Sequence, residues 1–563
     1  MLIYLIINKK TSFLFILNLL LCSLQAQENT SLRIPTKHDT LNGSITPERI
    51  WWDIQHYDLS INPDYINKTI TGKNVIEYNI TSKKHSHLMQ IDLLSPLKID
   101  SVFQKGKKVD YTQNQNIWYL KIPQNQASKK NKITIYYSGK PTESIKPPWD
   151  GGLVWAKDSL NRPWISVACQ YKGASLWYPC KNTMYDEPDK GATISITVPD
   201  NLSAIANGRL KNKTKNSNNT STYKWEVKNP ISHYAISFYV GNYVNISKVY
   251  KGKKGNLSMN YHFLDYNKQK AENHMIPEVN TTMKSLEHWF GPYPFYEDGF
   301  KMVDAPYIGM EHQSAIAYGS SYKRGTNKKG GDISNTGWGK KTDKIIVHEM
   351  AHEWFGNSIT AIDIADRWIQ EGFSGLAEEL IIADISGKQA GNEFMAGRFR
   401  TIANDKPIIA RYGINEDGSQ DNYVKGWAIL HMIKTIVNND SKFLEILQGL
   451  NRTFYHKVVT TNEIENYISA SSGIDFKYLF DQYLRTNNVP VFEYKVHNGE
   501  LIYRYANCNE NFAMPIKTNL TKDVWIYPNT SWKTTKAELQ NNINPLQVDI
   551  NFYIKVKEIN GSE

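Results

Sequence analysis

The chain has 563 residues, of which 40% are hydrophobic and 21% charged, and a formal net charge of +11. This length exceeds one ordinary domain and the apolar content exceeds that of a disordered chain, so several cored domains are expected. The lysines are scattered, with no basic stripe interleaved with aromatics, which describes a solvated surface and argues against a nucleic-acid partner.

Residues 1–26 read as a secretory signal. Lys9 and Lys10 precede an apolar run over 13–22, and Ala26 offers a small-residue cleavage point. The run is shorter than the ~20 residues a spanning helix needs, and bulky Leu21 suits a lipidated Cys22 poorly. Export to the periplasm or the medium is therefore expected, without a stable membrane partner; a lipid-anchored form is the weaker reading. Cys169, Cys180 and Cys508 then remain, an odd number that implies no complete disulfide framework. Cys169 and Cys180 could pair, but buried free thiols are the simpler reading.

Residues 27–252 are expected to form an N-terminal β domain, a saddle or sandwich. Thr69-Ile70-Thr71, Val75-Ile76-Glu77-Tyr78-Asn79-Ile80, Ile133-Thr134-Ile135-Tyr136 and the run 192–198 alternate or are β-branched, and turn clusters such as Asn62-Pro63-Asp64 separate them. Over 253–490 the pattern becomes mostly helical, with helices predicted at 345–355, 368–383 and 426–437. Strands return over 491–563, where 546–552 alternates, giving a small C-terminal β domain. The fold class is multidomain α+β.

The helix predicted at 345–355 carries His348-Glu349-Met350-Ala351-His352. Residues four apart lie on one helix face, so both imidazoles can reach one metal. Thr342 is the expected N-cap and Gly356 the expected stop. The neighbours are apolar almost all round, and a charged Glu349 among them is costly unless it has a function. Glu371, in the next helix after an expected cap at Asp366, completes a His-His-Glu set that leaves one position open for water, the arrangement of a catalytic zinc. Gly372 and Gly375 would let the two metal-bearing helices approach closely. Glu378, two turns beyond Glu371, could orient a ligand histidine.

HEMAHEWFGNSIT followed by WIQEGF resembles the zinc signature of the gluzincin aminopeptidases, the aminopeptidase N and leukotriene hydrolase family. The resemblance extends from about Trp51 to Glu493. It implies a thermolysin-like catalytic domain, one zinc per chain held by His348, His352 and Glu371, and Glu349 as general base. Gly309-Met310-Glu311-His312-Gln313 resembles the family's GAMEN segment, which implies that Glu311 holds the free α-amine of a peptide, with Gly309 and Met310 beside it; His312 stands where Asn is usual. Tyr423-Val424-Lys425-Gly426 resembles the YxKG segment, which implies that Tyr423 stabilises the oxyanion. Cys169-Gln170 followed by Trp177-Tyr178-Pro179-Cys180 implies that Gln170 also reaches the amine.

The expected function is hydrolysis of the N-terminal peptide bond of peptides with a free amine. A zinc endopeptidase, a catalytically inert peptide-binding module and epoxide hydrolysis at the same site are the competing readings. Many family members carry a long helical domain over the active site, whereas only about 70 residues follow the catalytic region here. An open cleft, or one closed by another subunit, is expected. The side-chain preference and oligomeric state are not legible.

Overall fold

The computed structural model describes residues 34–82, 86–123, 130–170, 172–326, 329–519, 524–537 and 546–559. The expected signal segment lies outside them.

The chain enters through a short helix, α1 (Lys37–Gly43), closed by a capping box between Thr36 and Asp39. Strands Trp52–Asp64 and Thr69–Ile80 follow as a long antiparallel pair at the centre of an eight-stranded sheet. Their alternation places Tyr57, Leu59 and Ile61 in the core. Ala192–Pro199 runs parallel to the first strand and presents Ile194, Ile196 and Val198 inward. A four-stranded sheet built from Gly152–Lys157, Pro163–Ala168, Ser203–Ala206 and Phe238–Gly241 shares this core. Cys169 and Cys180 are buried free thiols.

A five-stranded sheet joins this region to the helices. The hairpin of Tyr243–Gly252 and Gly255–Leu264 lies across the expected boundary at residue 252, because its second strand pairs in parallel with Phe300–Asp304. That strand serves two cores with its two faces. Phe300 and Met302 belong to the catalytic core, and Val303, with Ala305 beyond the strand, belongs to the N-terminal one. Two cores sharing a strand fix the relative placement of everything attached to either.

Three catalytic helices matter for the site: α2 (Lys344–Ala351), α3 (Trp368–Ser386) and α4 (Val424–Val437). The first is shorter than predicted. After His352 the chain tightens into turns, and Gly356, at φ +134°, reverses it so that its N–H reaches Ile359 O at 2.9 Å. The cap of α2 is Asp343 rather than Thr342; its Oδ1 accepts the Ile345 N–H at 3.1 Å. Asp366 does not cap α3 either. It ends a preceding 3-10 turn and accepts from Thr461 and Tyr412. The glycines of α3 face α4, not α2: a Cβ on Gly372 would lie 3.0 Å from Gly426 C, and one on Gly375 3.0 Å from Trp427 Cβ.

The C-terminal sheet orders Lys533–Lys536, Glu500–Ala506, Val491–His497 and Lys555–Glu558. Phe492, Tyr505 and Phe512 share one core with the catalytic helices. The run 546–552 is not a strand despite its alternation. Val548 makes a single bridge to Thr518, and Asp549 then accepts both the N–H and the Nδ2 of Asn551, turning the chain.

That turn aims Asn551 Oδ1 at His431 Nε2 of α4, 2.9 Å away, while His431 Nδ1 meets Glu379 of α3 at 2.9 Å. Lys434 and the Trp427 indole also bond Glu379. Burial opposes ionisation of Glu379, but His431 and Lys434 hold its carboxyl down at about 2, from an ordinary 4.5. A depressed carboxylate contributes stability that is present above pH 4.5 and lost as pH falls towards 2. Glu379→Ala should therefore cost about 3–5 kcal/mol near neutrality, by stranding Lys434 and His431. It should also flatten the acid arm of the stability curve between those two pH values, as followed by denaturant melts across pH.

Candidate active site

His348 and His352 project from one face of α2, the second from its C-cap, where φ −62° and ψ −19° keep the helical spacing. Glu371 comes from the first turn of α3. Its Oε2 lies 3.3 Å from His348 Nε2 and 3.5 Å from His352 Nε2, and the three candidate ligand atoms all fall within 4.8 Å of one another. All three residues are buried.

The remaining ring nitrogens are already engaged. His348 Nδ1 meets Glu378 Oε1 at 3.0 Å, as the two-turn spacing suggests, and His352 Nδ1 meets Phe355 O and Ser374 Oγ, each at 3.0 Å. A carbonyl oxygen can only accept, so His352 carries its proton on Nδ1 and turns the Nε2 lone pair towards Glu371. Glu371 Oε2 is buried with no hydrogen-bond donor of good geometry. A cation among these atoms answers that orphaned oxygen, and two imidazoles plus one carboxylate are the donor set of a catalytic zinc.

Glu349 sits on the same helix, facing the strand Gly309–Met310. A Cβ on Gly309 would lie 2.7 Å from Glu349 Oε1 and 2.6 Å from Ile345 Cγ2, so only glycine lets the strand pass this close to the carboxylate. Burial raises the Glu349 carboxyl and the nearby Glu311 adds to this, against the two histidines. Oxygen and nitrogen atoms of Glu311, Glu349 and His352 again lie within 4.8 Å of one another.

Glu311 follows Met310, which is embedded in the N-terminal core, and its carbonyl accepts from Asn357 Nδ2 at 3.0 Å just after the metal-site helix. Both domains thus fix the position of this carboxylate. The adjoining His312 turns away from it. Tyr239 donates its hydroxyl proton to Ala315 O at 2.7 Å, so the 2.6 Å contact to His312 Nδ1 is an N–H donation to the phenol oxygen. Burial pushes this imidazole down to about 3, and it is neutral. The His-for-Asn departure is therefore absorbed by the N-terminal core.

Gln170, Met310, Glu311 and Glu371 line one cavity of about 260 Å³, and Gln170 Oε1 is buried there without a hydrogen-bond partner. Tyr423, the residue before α4, stacks on His348 with ring centroids 6.0 Å apart and an interplanar angle of 20°. The close approach of Gly426 to Gly372 sets this placement, since it brings the start of α4 against the start of α3. Arg367 Nη2 donates to the Tyr423 hydroxyl at 3.3 Å, and Arg367 also pairs with Asp417 at 3.2 Å and Glu371 at 3.5 Å.

Arg367, Asp417, Ser374, Asn357 and Tyr234 carry no expectation from sequence. Arg367 alone had a legible signal, its position four residues before Glu371 on one helical face. Tyr234 lines the cavity with its hydroxyl buried and unpartnered. Nothing in its surrounding sequence distinguishes it from the other tyrosines.

Comparison with known proteins places this geometry. The Peptidase M1 N-terminal domain model matches residues 54–235 and the Peptidase family M1 domain model matches 276–483, together more than half of the chain. Endoplasmic reticulum aminopeptidase 1 of Mus musculus is 23% identical over 442 residues, covering 72% of this chain and 45% of the relative. Leucine aminopeptidase 2 of Vanderwaltozyma polyspora is 22% identical, covering 69% and 58%. The chain thus spans about half the length of these relatives. Among solved structures, a glutamate-to-alanine mutant of an M1 zinc metallopeptidase from Deinococcus radiodurans superimposes with a TM-score of 0.65 at 20% identity, covering 80% of this chain and 98% of that one. The same mutant bound to a Tyr-Ser-Ala substrate matches equally well. By the two family domains matched in order and the fold shared with these structures, the chain belongs to peptidase family M1, the gluzincin aminopeptidases.

Proposed function

We propose that this protein is a zinc-dependent aminopeptidase that removes the N-terminal residue of peptides, and that it is exported. The observation that carries the activity is the placement of Glu311 beside Glu349 and His352, on a cavity that also holds Gln170. A second carboxylate this close to a hydrolytic base is unfavourable unless a cation neutralises it, and a peptide's α-ammonium is such a cation. An internal peptide residue has no charge to offer there, so the same carboxylate selects the terminal bond.

His348, His352 and Glu371 would hold the zinc. When bound, it supplies a Lewis acid that polarises the scissile carbonyl and lowers the pKa of water. Glu311 and Gln170 bind and orient the ammonium. Glu349 takes a proton from the attacking water and returns it to the departing amine; a carboxyl raised by burial is suited to both directions of transfer. Tyr423 donates its hydroxyl proton as a hydrogen bond to the oxygen that becomes negative, with Arg367 fixing the phenol. Glu378 and Ser374 keep the imidazoles oriented. Export rests on Lys9, Lys10 and the apolar run over 13–22. Among the described residues no helix is long and apolar enough to cross a membrane.

Glu349→Gln should retain zinc, measured by atomic absorption, while kcat falls about 10²–10⁴-fold, the scale of a lost general base. Full turnover in that variant would remove the base assignment. Glu311→Ala should narrow the preference for free over N-acetylated peptides; if the wild type cleaved both equally, the endopeptidase reading would replace this one. Gly309→Ala, which drives a methyl into Glu349, should lower kcat with zinc content unchanged.

A further inference from the structure

We propose that α1 and the turn after it form the end wall of the pocket that receives the first side chain of the substrate, so that residues outside both matched family domains set the enzyme's preference. This rests on the aminopeptidase reading above. With the ammonium held at Glu311 and Gln170, the first side chain points into the cavity that opens from them. That cavity runs to Asn42, Gly43, Ile414 and Asn415.

The wall is anchored on one side by Arg49, which is fully buried. Its Nη1 donates to Leu41 O at 2.7 Å, Ser44 O at 3.1 Å and Asn42 O at 3.3 Å, and its Nη2 donates to Asp92 at 2.6 Å. One guanidinium thus collects the carbonyls where α1 ends and ties them to the N-terminal sheet. Gln90 Nε2 adds a bond to Leu41 O at 3.3 Å. Asp92 also accepts the Asn182 N–H at 3.0 Å, and Asn182 is another cavity residue. A buried cation devoted to one short segment is costly unless that segment must stay in place.

On the other side the segment touches the catalytic domain backbone to backbone. A Cβ on Gly43 would lie 2.4 Å from Ile414 C and 2.5 Å from Asn415 N, and the Asn415 N–H donates to Asp39 O at 3.3 Å. Two residues further, Asp417 holds Arg367 and through it Tyr423 and Glu371. The segment therefore bridges the two domains across the far end of the cavity. This differs, on that side, from the open cleft expected from sequence.

The lining at that end indicates the class of side chain. Asn42 and Asn415 bring amides to the lining and Met310 and Ile364 bring apolar surface, while Lys172, donating to Gly151 O at 3.1 Å, is a cation in the same lining. The amides of Asn116 and Asn182 are already engaged, accepting from the Ser95 and Ala174 N–H groups. A side chain with an apolar body and an uncharged hydrogen-bonding tip, such as Tyr, matches this lining; a guanidinium would meet the like charge of Lys172, and Ala leaves the Asn42 and Asn415 amides unmet.

The test compares kcat/KM for Arg-, Tyr- and Ala-aminomethylcoumarin substrates in the zinc-loaded full chain. The wild type should prefer Tyr over both Arg and Ala. Asn42→Trp, which fills the end of the pocket, should lower the Tyr:Ala ratio tenfold or more, mainly through KM. Gly43→Val, which forces the segment away from Ile414, should also change the ratios, and thermal melts show which variants are folded. Unchanged ratios in folded variants, or a wild type that prefers Ala or Arg to Tyr, overturn the wall. A wild type that hydrolyses no free-amine substrate overturns the aminopeptidase reading instead, and this inference with it.

Discussion

Glu371, Glu378 and Glu379 lie along helix α3, and all three are buried. Carboxylates taken out of water must each meet a cation or several donors, and the packing around α3 can be read as the solution to that constraint. Glu371 meets two imidazoles and Arg367, Glu378 meets His348 and lies 3.7 Å from Lys344, and Glu379 meets His431, Lys434 and Trp427. Apart from Arg367, which caps α3 itself, these partners come from α2 and its C-cap on one side and α4 on the other. Helix α3 is thus held at the centre by charge as well as by its apolar face, and Glu371 shares a rigid element with Glu378 and Ser374, which orient His348 and His352.

The same constraint explains why the glycines of α3 point where they do. Tyr423 must stand over His348 while α4 supplies His431 and Lys434 to Glu379, so α3 and α4 need to touch near their starts. Gly372 against Gly426 permits a backbone contact there that a larger residue would prevent. Reading those glycines as the approach of the two metal-bearing helices identified the right need and the wrong pair. Sequence spacing shows that a close contact exists; which partner fills it depends on residues more than fifty positions away.

Other parts of the site were legible to the extent that their chemistry is local. His348, His352 and Glu349 lie within one helical turn and a half, and Glu378 is two turns from Glu371, so period alone brings them to defined faces. The long strands were visible because alternation and β-branching agreed over many residues. The run 546–552 alternates as well, but Asp549 captures Asn551 locally and turns the chain, a competition that hydropathy does not register. Asp343 displaced Thr342 as the cap of α2 because Tyr318 and His274 hold its other oxygen, contacts from elements 25 and 69 residues away. Asn357 with Glu311, and Arg367 with Asp417 and Tyr423, act through such distant pairings, and no short window of sequence contains both halves of them.

On the function proposed above, selection of the terminal bond rests on the seam between the domains as well as on the metal site. Glu311 is positioned by Met310 in the N-terminal core and by Asn357 beside the metal-site helix, so its distance from the zinc ligands is fixed by how the two domains meet. The shared strand Phe300–Asp304, with one face in each core, leaves little freedom in that meeting. A seam so constrained can present a carboxylate at one fixed distance from the hydrolytic base, which selection of a terminal bond requires. At its margin lies α1, tied by the buried Arg49 to Asp92 of the N-terminal domain and by the Asn415 N–H to the catalytic one. On the function proposed above, the chemistry would depend on α2, α3 and Tyr423, and the preference for particular side chains on what spans the gap between the domains.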